Sequence, residues 1–273
     1  MCSPFGLRSA RELLKLHPAH IKIASPELNH FPLLRETASY GIPLILSSGV
    51  SRLSDIEKAL ESTISAPDRI LLHCITSYPA PEEEYNLNVL ENLSAIFGIK
   101  VGISDHSLDP ELVPVLALAC GACVIEKHIT LSRSDPGLDD PVALTPDLFA
   151  HMVEAVRSFE GKNKADIVSI MAKKHGAERI KKILGSGKKE LAESERTNYT
   201  RTNRSIHYMR NIEAGKKIKP DDIAILRTEK ILTPGISPEY FDMMVGAVLA
   251  HDVENGAGVR WEDVIRRSSP LSI

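Results

Sequence analysis

The chain has 273 residues, 43% hydrophobic and 25% charged, with a formal net charge of -3. Such a composition suits an ordinary globular protein with room for two domains, and the charge balance argues against a general nucleic-acid or membrane surface, leaving small-molecule chemistry. No apolar run approaches the roughly 18 residues of a membrane span, the stretch Met1 to Arg8 lacks signal-peptide architecture, and four cysteines are too few for a disulfide framework, so a cytoplasmic location is expected.

After a turn at Ser3-Pro4-Phe5, residues 8–16 read as an amphipathic helix and 20–24 as a strand. Strand-like runs recur at 42–46, 69–75, 100–106 and 122–128, with helical periodicity between them. Before the last of these, Asp109 suits an N-cap, Pro110 the first helical position and Gly121 the end of a helix. Strands alternating with helices indicate parallel βα units. Five such units occupy roughly residues 17–158, which makes either an open sheet or a barrel lacking its beginning.

Small or polar residues follow each strand, as in Ser25-Pro26-Glu27, Ser47-Ser48-Gly49, Thr76-Ser77-Tyr78-Pro79, Ser104-Asp105-His106 and Glu126-Lys127-His128. In parallel α/β sheets the C-terminal ends of the strands share the face that carries active sites. His106 and His128 therefore emerge on one rim, where two imidazoles can share a divalent metal such as Zn, Mn, Fe or Co. A histidine at a strand end is also often a plain hydrogen-bonding residue, and spacing alone leaves both readings open. Cys120-Gly121-Ala122-Cys123 has the spacing of a redox motif but falls where a helix ends, away from the helix N-terminus that activates such thiols, so no redox role is expected.

From 161 to 196 the chain is Lys-rich and reads as a partly helical connector, with one helix over 167–184 and a flexible turn at Gly185-Ser186-Gly187. Beyond Asn203, short β-like runs follow at 205–209 and 224–227. Two segments, 212–218 and 253–259, look alike: each turns about a glycine and leads to a helical turn, Pro220-Asp221-Asp222 or Trp261-Glu262-Asp263.

Several of these stretches, in order and spacing, carry a resemblance. Ser3-Pro4-Phe5, Lys22-Ile23-Ala24-Ser25-Pro26-Glu27, Ile45-Leu46-Ser47-Ser48-Gly49, Leu72-His73-Cys74 with Ser77-Tyr78-Pro79, Gly102-Ile103-Ser104-Asp105-His106, Glu126-Lys127-His128 and Pro136-Gly137-Leu138-Asp139 are similar to those of the sialic acid synthase family. Those enzymes condense phosphoenolpyruvate with an N-acyl amino sugar. Residues 204–264 resemble the small β-rich antifreeze-like (SAF, β-clip) domain that closes them.

The resemblance implies an α/β fold, a (β/α)8 barrel missing its first two to three strands, followed by the antifreeze-like domain. The implied divisions are 1–160 for the partial barrel, 161–196 for the connector and 197–273 for the SAF domain. His106 and His128 become the ligands of a divalent metal, Mn2+ first, with Mg2+ or Co2+ as alternatives. Lys22, Ser25, Ser47 and Ser104 hold phosphoenolpyruvate, Glu27 assists catalysis, and Phe5, Tyr78 and Asp139 contact the sugar. Arg204 reaches the acyl group of the sugar from a partner subunit, as part of a domain-swapped homodimer.

Two departures bear on the acceptor: Pro26 stands where the family usually has glycine, and Ile75-Thr76 replaces a more polar pair. N-acetylmannosamine and a diamino-dideoxy relative are both open. The family also begins with two further strands that supply a metal-proximal glutamate and substrate contacts, so these residues alone are expected to be a poor synthase. The alternative expectation is a non-catalytic sugar- or metal-binding protein that keeps the fold.

Overall fold

The structure, a computed structural model, describes residues 1–228 and 231–264. Five strands, β1 (Ile21–Ile23), β2 (Leu44–Ser47), β3 (Arg69–Cys74), β4 (Lys100–Asp105) and β5 (Ile125–Lys127), pair in parallel in chain order. They form a curled half-barrel. Single parallel bridges extend it at both edges, Cys2 with Ile21 and Ile129 with Leu144. Helices α1 (Leu7–Leu14), α2 (Phe31–Ala38), α3 (Leu53–Ser62), α4 (Val89–Phe97) and α5 (Leu112–Ala119) alternate with the strands.

Successive strand residues face opposite sides of a sheet, and here the two sides have different jobs. Ile21, Ile23, Leu44, Leu46, Leu71, Val101 and Ile103 join the helices in one buried cluster. The alternate positions Lys22, Ser47, Cys74, Ser104 and Glu126 look the other way, onto a cavity. The register aligns Cys74 with Ser104 and Ser104 with Glu126, so three polar or nucleophilic side chains stand in one row. Gly102 permits the close pairing of β4: a Cβ there would lie 2.4 Å from the Val124 carbonyl oxygen.

Asp109, expected as the N-cap of α5, lies two residues before the actual N-cap, Glu111, yet still serves the helix start. Asp109 Oδ1 accepts from the amides of Glu111 and Leu112, both at 2.8 Å, and the helix begins at Leu112 rather than Pro110. The expected single helix over 167–184 is broken. Gly176, at φ +94°, separates α7 (Lys164–His175) from α8 (Ala177–Leu184), both of which follow α6 (Pro146–Ser158). Ile167, Met171, Ile180 and Ile183 enter the main core, so this part of the connector packs as part of the barrel domain. The Gly-Ser-Gly turn is tied down: Asn86 Oδ1 accepts from the Gly187 amide at 2.7 Å, and Asn92 Nδ2 donates to the Gly187 carbonyl at 2.8 Å.

The C-terminal domain pairs β6 (Arg204–Tyr208) antiparallel with β7 (Ile223–Arg227). A second cluster, including Ile206, Tyr208, Ile218, Leu249 and Val259, forms its core. The two similar segments are structural repeats. Gly215 and Gly256 take φ +80° and +83°, and Ile212 bridges Val253. In each repeat an aspartate closes the helical turn, Asp222 accepting from the Lys219 amide at 2.8 Å and Asp263 from the Arg260 amide at 2.7 Å. Among the described residues no helix is long and apolar enough to cross a membrane.

Candidate active site

A cavity of about 850 Å³ lies over the polar face of the half-barrel at the C-terminal ends of the strands. Of the expected site residues, Phe5, Lys22, Ser25, Ser47, Tyr78, Ser104, His106, His128 and Asp139 all line it. Glu27 and Arg204 do not.

Lys22 is buried, with Nζ 3.2 Å from Glu126 Oε1, and Ser104 Oγ donates to the same oxygen at 2.7 Å. Glu126 thus holds a cation and a hydroxyl side by side. Ser25 Oγ accepts from the Gly49 amide at 3.0 Å. Ser47 is buried too, yet its hydroxyl has no hydrogen-bond partner. A buried hydroxyl without a partner is costly, about 1–3 kcal/mol, unless a ligand supplies one.

His106 and His128 stand with ring centroids 5.3 Å apart, and Tyr78 stacks 4.2 Å from the His106 ring. His106 Nδ1 lies 2.8 Å from the Ile75 carbonyl, to which it donates; in the neutral imidazole, the form that binds a metal, Nε2 then carries the lone pair. Burial opposes charge on His106, but the Cys74 thiol group 3.8 Å away and the Ile75 carbonyl outweigh it and push the imidazole up to about 9. Burial and the neighbouring His106 lower His128, against the pull of Asp139, whose carboxylate is 3.4 Å from Nδ1.

A buried network fixes His106 from behind. Tyr85 Oη donates to Asp105 Oδ1 and accepts from the His106 amide, both at 2.7 Å. Asp105 Oδ2 pairs with Lys127 Nζ at 2.7 Å, and both side chains are fully buried. Burial lowers Lys127, with Asp105 opposing.

Glu27 is fully buried behind the cavity wall. Arg204 grips it at 2.5 Å (Nε) and 3.0 Å (Nη2), and His30 Nδ1 lies 3.1 Å away. Burial raises Glu27, but hydrogen bonds from His30 and Arg204 outweigh it and hold the carboxyl below its ordinary range. Arg204 Nη2 also donates to the Phe5 carbonyl at 2.8 Å. Within the chain, Arg204 therefore meets Glu27. The backbone leads it there: Asn29 exchanges hydrogen bonds with both the amide and the carbonyl of Arg204, at 3.1 and 2.8 Å.

Residues 1–167 match the NeuB family and 203–265 the SAF domain. The chain belongs to the NeuB family. The NeuB-type chain is 34% identical to the spore coat polysaccharide biosynthesis protein SpsE of Bacillus subtilis, over 96% of its own length and 69% of that protein. It is 32% identical to an N,N'-diacetyllegionaminic acid synthase of Legionella pneumophila, covering 97% of this chain and 68% of the relative. The crystal structure of B. subtilis SpsE superposes with a TM-score of 0.85 at 31% identity, over 97% of this chain and 73% of that one.

Sequence reasoning gave no role to Glu126, although its place in the row with Ser104 is a period-2 signal. It also passed over Asn198, Arg201, Thr202 and Arg227, which close the cavity from the C-terminal side. No local spacing points to those four. Among the described residues no group of three metal-ligating side chains converges. In their neutral forms His106, through Nε2, and His128 would each supply one nitrogen to a divalent metal, with the other positions left to water or substrate.

Proposed function

We propose that this NeuB-family protein condenses phosphoenolpyruvate with an N-acyl amino sugar and releases phosphate. The unpartnered buried hydroxyl of Ser47, between Lys22 and Ser25 on the cavity wall, carries the reading. A cation and converging small donors suit a multiply charged anion. Lys22 neutralises its carboxylate or phosphate, Ser47 and Ser104 donate to its oxygens, and the Ser25 hydroxyl, oriented by the Gly49 amide, does the same.

The sugar occupies the outer part of the cavity, against Phe5 and Tyr78, with Asp139 accepting from a hydroxyl. His106 and His128 would hold a divalent metal, Mn2+ first, which when bound would supply Lewis acidity toward the aldehyde oxygen of the open-chain sugar. In the condensation, C3 of phosphoenolpyruvate bonds to the aldehyde carbon and the aldehyde oxygen gains a proton. Water adds at C2 and loses both protons, one matching that gained by the aldehyde oxygen and the other leaving with the phosphate, as the bond from C2 to the phosphate oxygen breaks and C2 becomes a ketone. The chain's contribution is to keep the two substrates in contact and to balance the charge of the departing phosphate.

Phosphate release from phosphoenolpyruvate, followed with and without N-acetylmannosamine and its diamino-dideoxy relatives, tests this. Release is expected only when both substrates are present, and Ser47→Ala together with Lys22→Met should reduce it by at least 10²-fold. Release without any sugar would overturn the reading in favour of a phosphatase. Binding of phosphoenolpyruvate by calorimetry without release would favour a non-catalytic binding protein.

A further inference from the structure

One rim loop of the cavity, tied at Ser48 to the Leu72 carbonyl, is held at its tip by a distant stretch of chain. Residues 48–51 follow Ser47, and within them Val50 takes φ +42° while fully buried. A β-branched residue there is strained, and such strain persists only where neighbours over-determine the backbone. Those neighbours lie between 189 and 203, just before the C-terminal domain. Lys189 Nζ donates to the Ser48 carbonyl at 3.2 Å, and Asn203 Nδ2 to the Val50 carbonyl at 3.2 Å.

Between them stands Glu195, in a short helical turn (Glu193–Arg196) and fully buried. Its Oε1 accepts from two rim loops at once, from the Val50 amide at 2.7 Å and the Thr76 amide at 2.8 Å. Oε2 faces the Ala192 amide at 3.3 Å. The first loop follows Ser47 and, through the Gly49 amide, holds Ser25; the second follows Cys74 and carries Thr76 and Tyr78. The loops themselves touch closely, since a Cβ on Gly49 would lie 2.0 Å from Thr76 Oγ1.

We infer that Glu195 is a positioning residue for the anion end of the site, latching the loops after β2 and β3 into the one arrangement in which Ser25, Ser47 and Tyr78 face a common substrate. It touches no substrate. It acts through Val50 and Thr76, and it makes the segment before the C-terminal domain part of the active-site scaffold. The inference rests on the proposed reaction only for which substrate is affected.

Two measurements on the full chain test it. Hydrogen exchange followed by mass spectrometry should show faster exchange of the peptides spanning 48–51 and 75–78 in Glu195→Ala, with the 204–208 strand unchanged. In steady-state kinetics Glu195→Ala should raise KM for phosphoenolpyruvate roughly ten- to hundredfold, as for two buried amides left without an acceptor, with a smaller effect on KM for the sugar. Glu195→Gln, which keeps one acceptor oxygen, should recover part of the loss. Val50→Gly in the Glu195→Ala background should recover more, because glycine takes a positive φ without strain. Unchanged exchange in both loops would overturn the latch, as would an equal rise of both KM values without rescue. A wild type with no turnover would overturn the proposed reaction instead, and the exchange data would still decide the latch.

Discussion

Arg204 and Glu27 lie 177 residues apart in sequence and meet behind the cavity wall, guanidinium against carboxylate, at 2.5 and 3.0 Å. Glu27 is fully buried and the Arg204 side chain is 11% exposed. The pair joins the C-terminal domain to the loop after β1 and, through the Phe5 carbonyl, to the cavity rim. It is part of the frame that carries the site.

Removing one partner strands the other. Arg204→Met should cost about 3–5 kcal/mol, as for other broken buried pairs, while Arg204→Met with Glu27→Gln should recover part of it. The pH dependence has a definite sign. Glu27 is held below its ordinary value, so its contribution is complete above the unfolded-state pKa and is lost as pH falls through the lower folded value. In Arg204→Met, burial is less opposed and the loss should begin at higher pH. Denaturant melts from pH 3 to 7 check this, and identical pH profiles would contradict it.

Lys127 and Asp105 form the second buried pair, and Asp105 also receives Tyr85, which fixes the His106 backbone. Lys127→Met should therefore destabilise by about 3–5 kcal/mol, and Tyr85→Phe by about 1–3 kcal/mol. The two changes share Asp105 and should not add. A double-mutant cycle by urea melts with strict additivity would argue against the network.

Gly49 is the tightest point between the rim loops. Gly49→Ala places a methyl group 2.0 Å from Thr76 Oγ1 and 3.1 Å from Cys74 Sγ, so a shift of the loops is expected at about 1–3 kcal/mol with weakened phosphoenolpyruvate binding. Gly6→Ala, with nothing within 4 Å, is the control and should leave both properties unchanged. Melting and calorimetry of the two variants compare them directly.

Metal binding separates the two histidines from their surroundings. After chelation and reloading with Mn2+, His106→Ala and His128→Ala should each hold far less metal than the wild type, as read from the resonance of free Mn2+. Asp139→Asn, which leaves both imidazoles in place, should hold nearly as much. Equal retention in all three would remove His106 and His128 as ligands.

Much of this arrangement was legible in the sequence because it rests on local periodicity. The apolar runs around Ile21, Leu44, Leu71, Val101 and Ile125 mark the strands, and the polar residues after them mark the rim. Ser47 and Ser104 could be placed on that rim for the same reason, whereas Lys22 entered through the family resemblance. What escaped depends on contacts between distant segments. Nothing near Glu195 points to Val50 or Thr76, and nothing near Arg204 points to Glu27. Glycine chemistry was underweighted at Gly176, where one positive φ divides an otherwise continuous helical pattern.

The central claim is the joining of two substrates, and the product tests it most directly. The protein is incubated with phosphoenolpyruvate, Mn2+ and a panel of N-acyl amino sugars, and the mixture is analysed by mass spectrometry. The account predicts a new 2-keto acid whose mass is that of sugar, phosphoenolpyruvate and water together less phosphate, formed one for one with released phosphate and absent with His106→Ala. Pyruvate and phosphate appearing beside unchanged sugar, at equal rates in the wild type and His106→Ala, would contradict it.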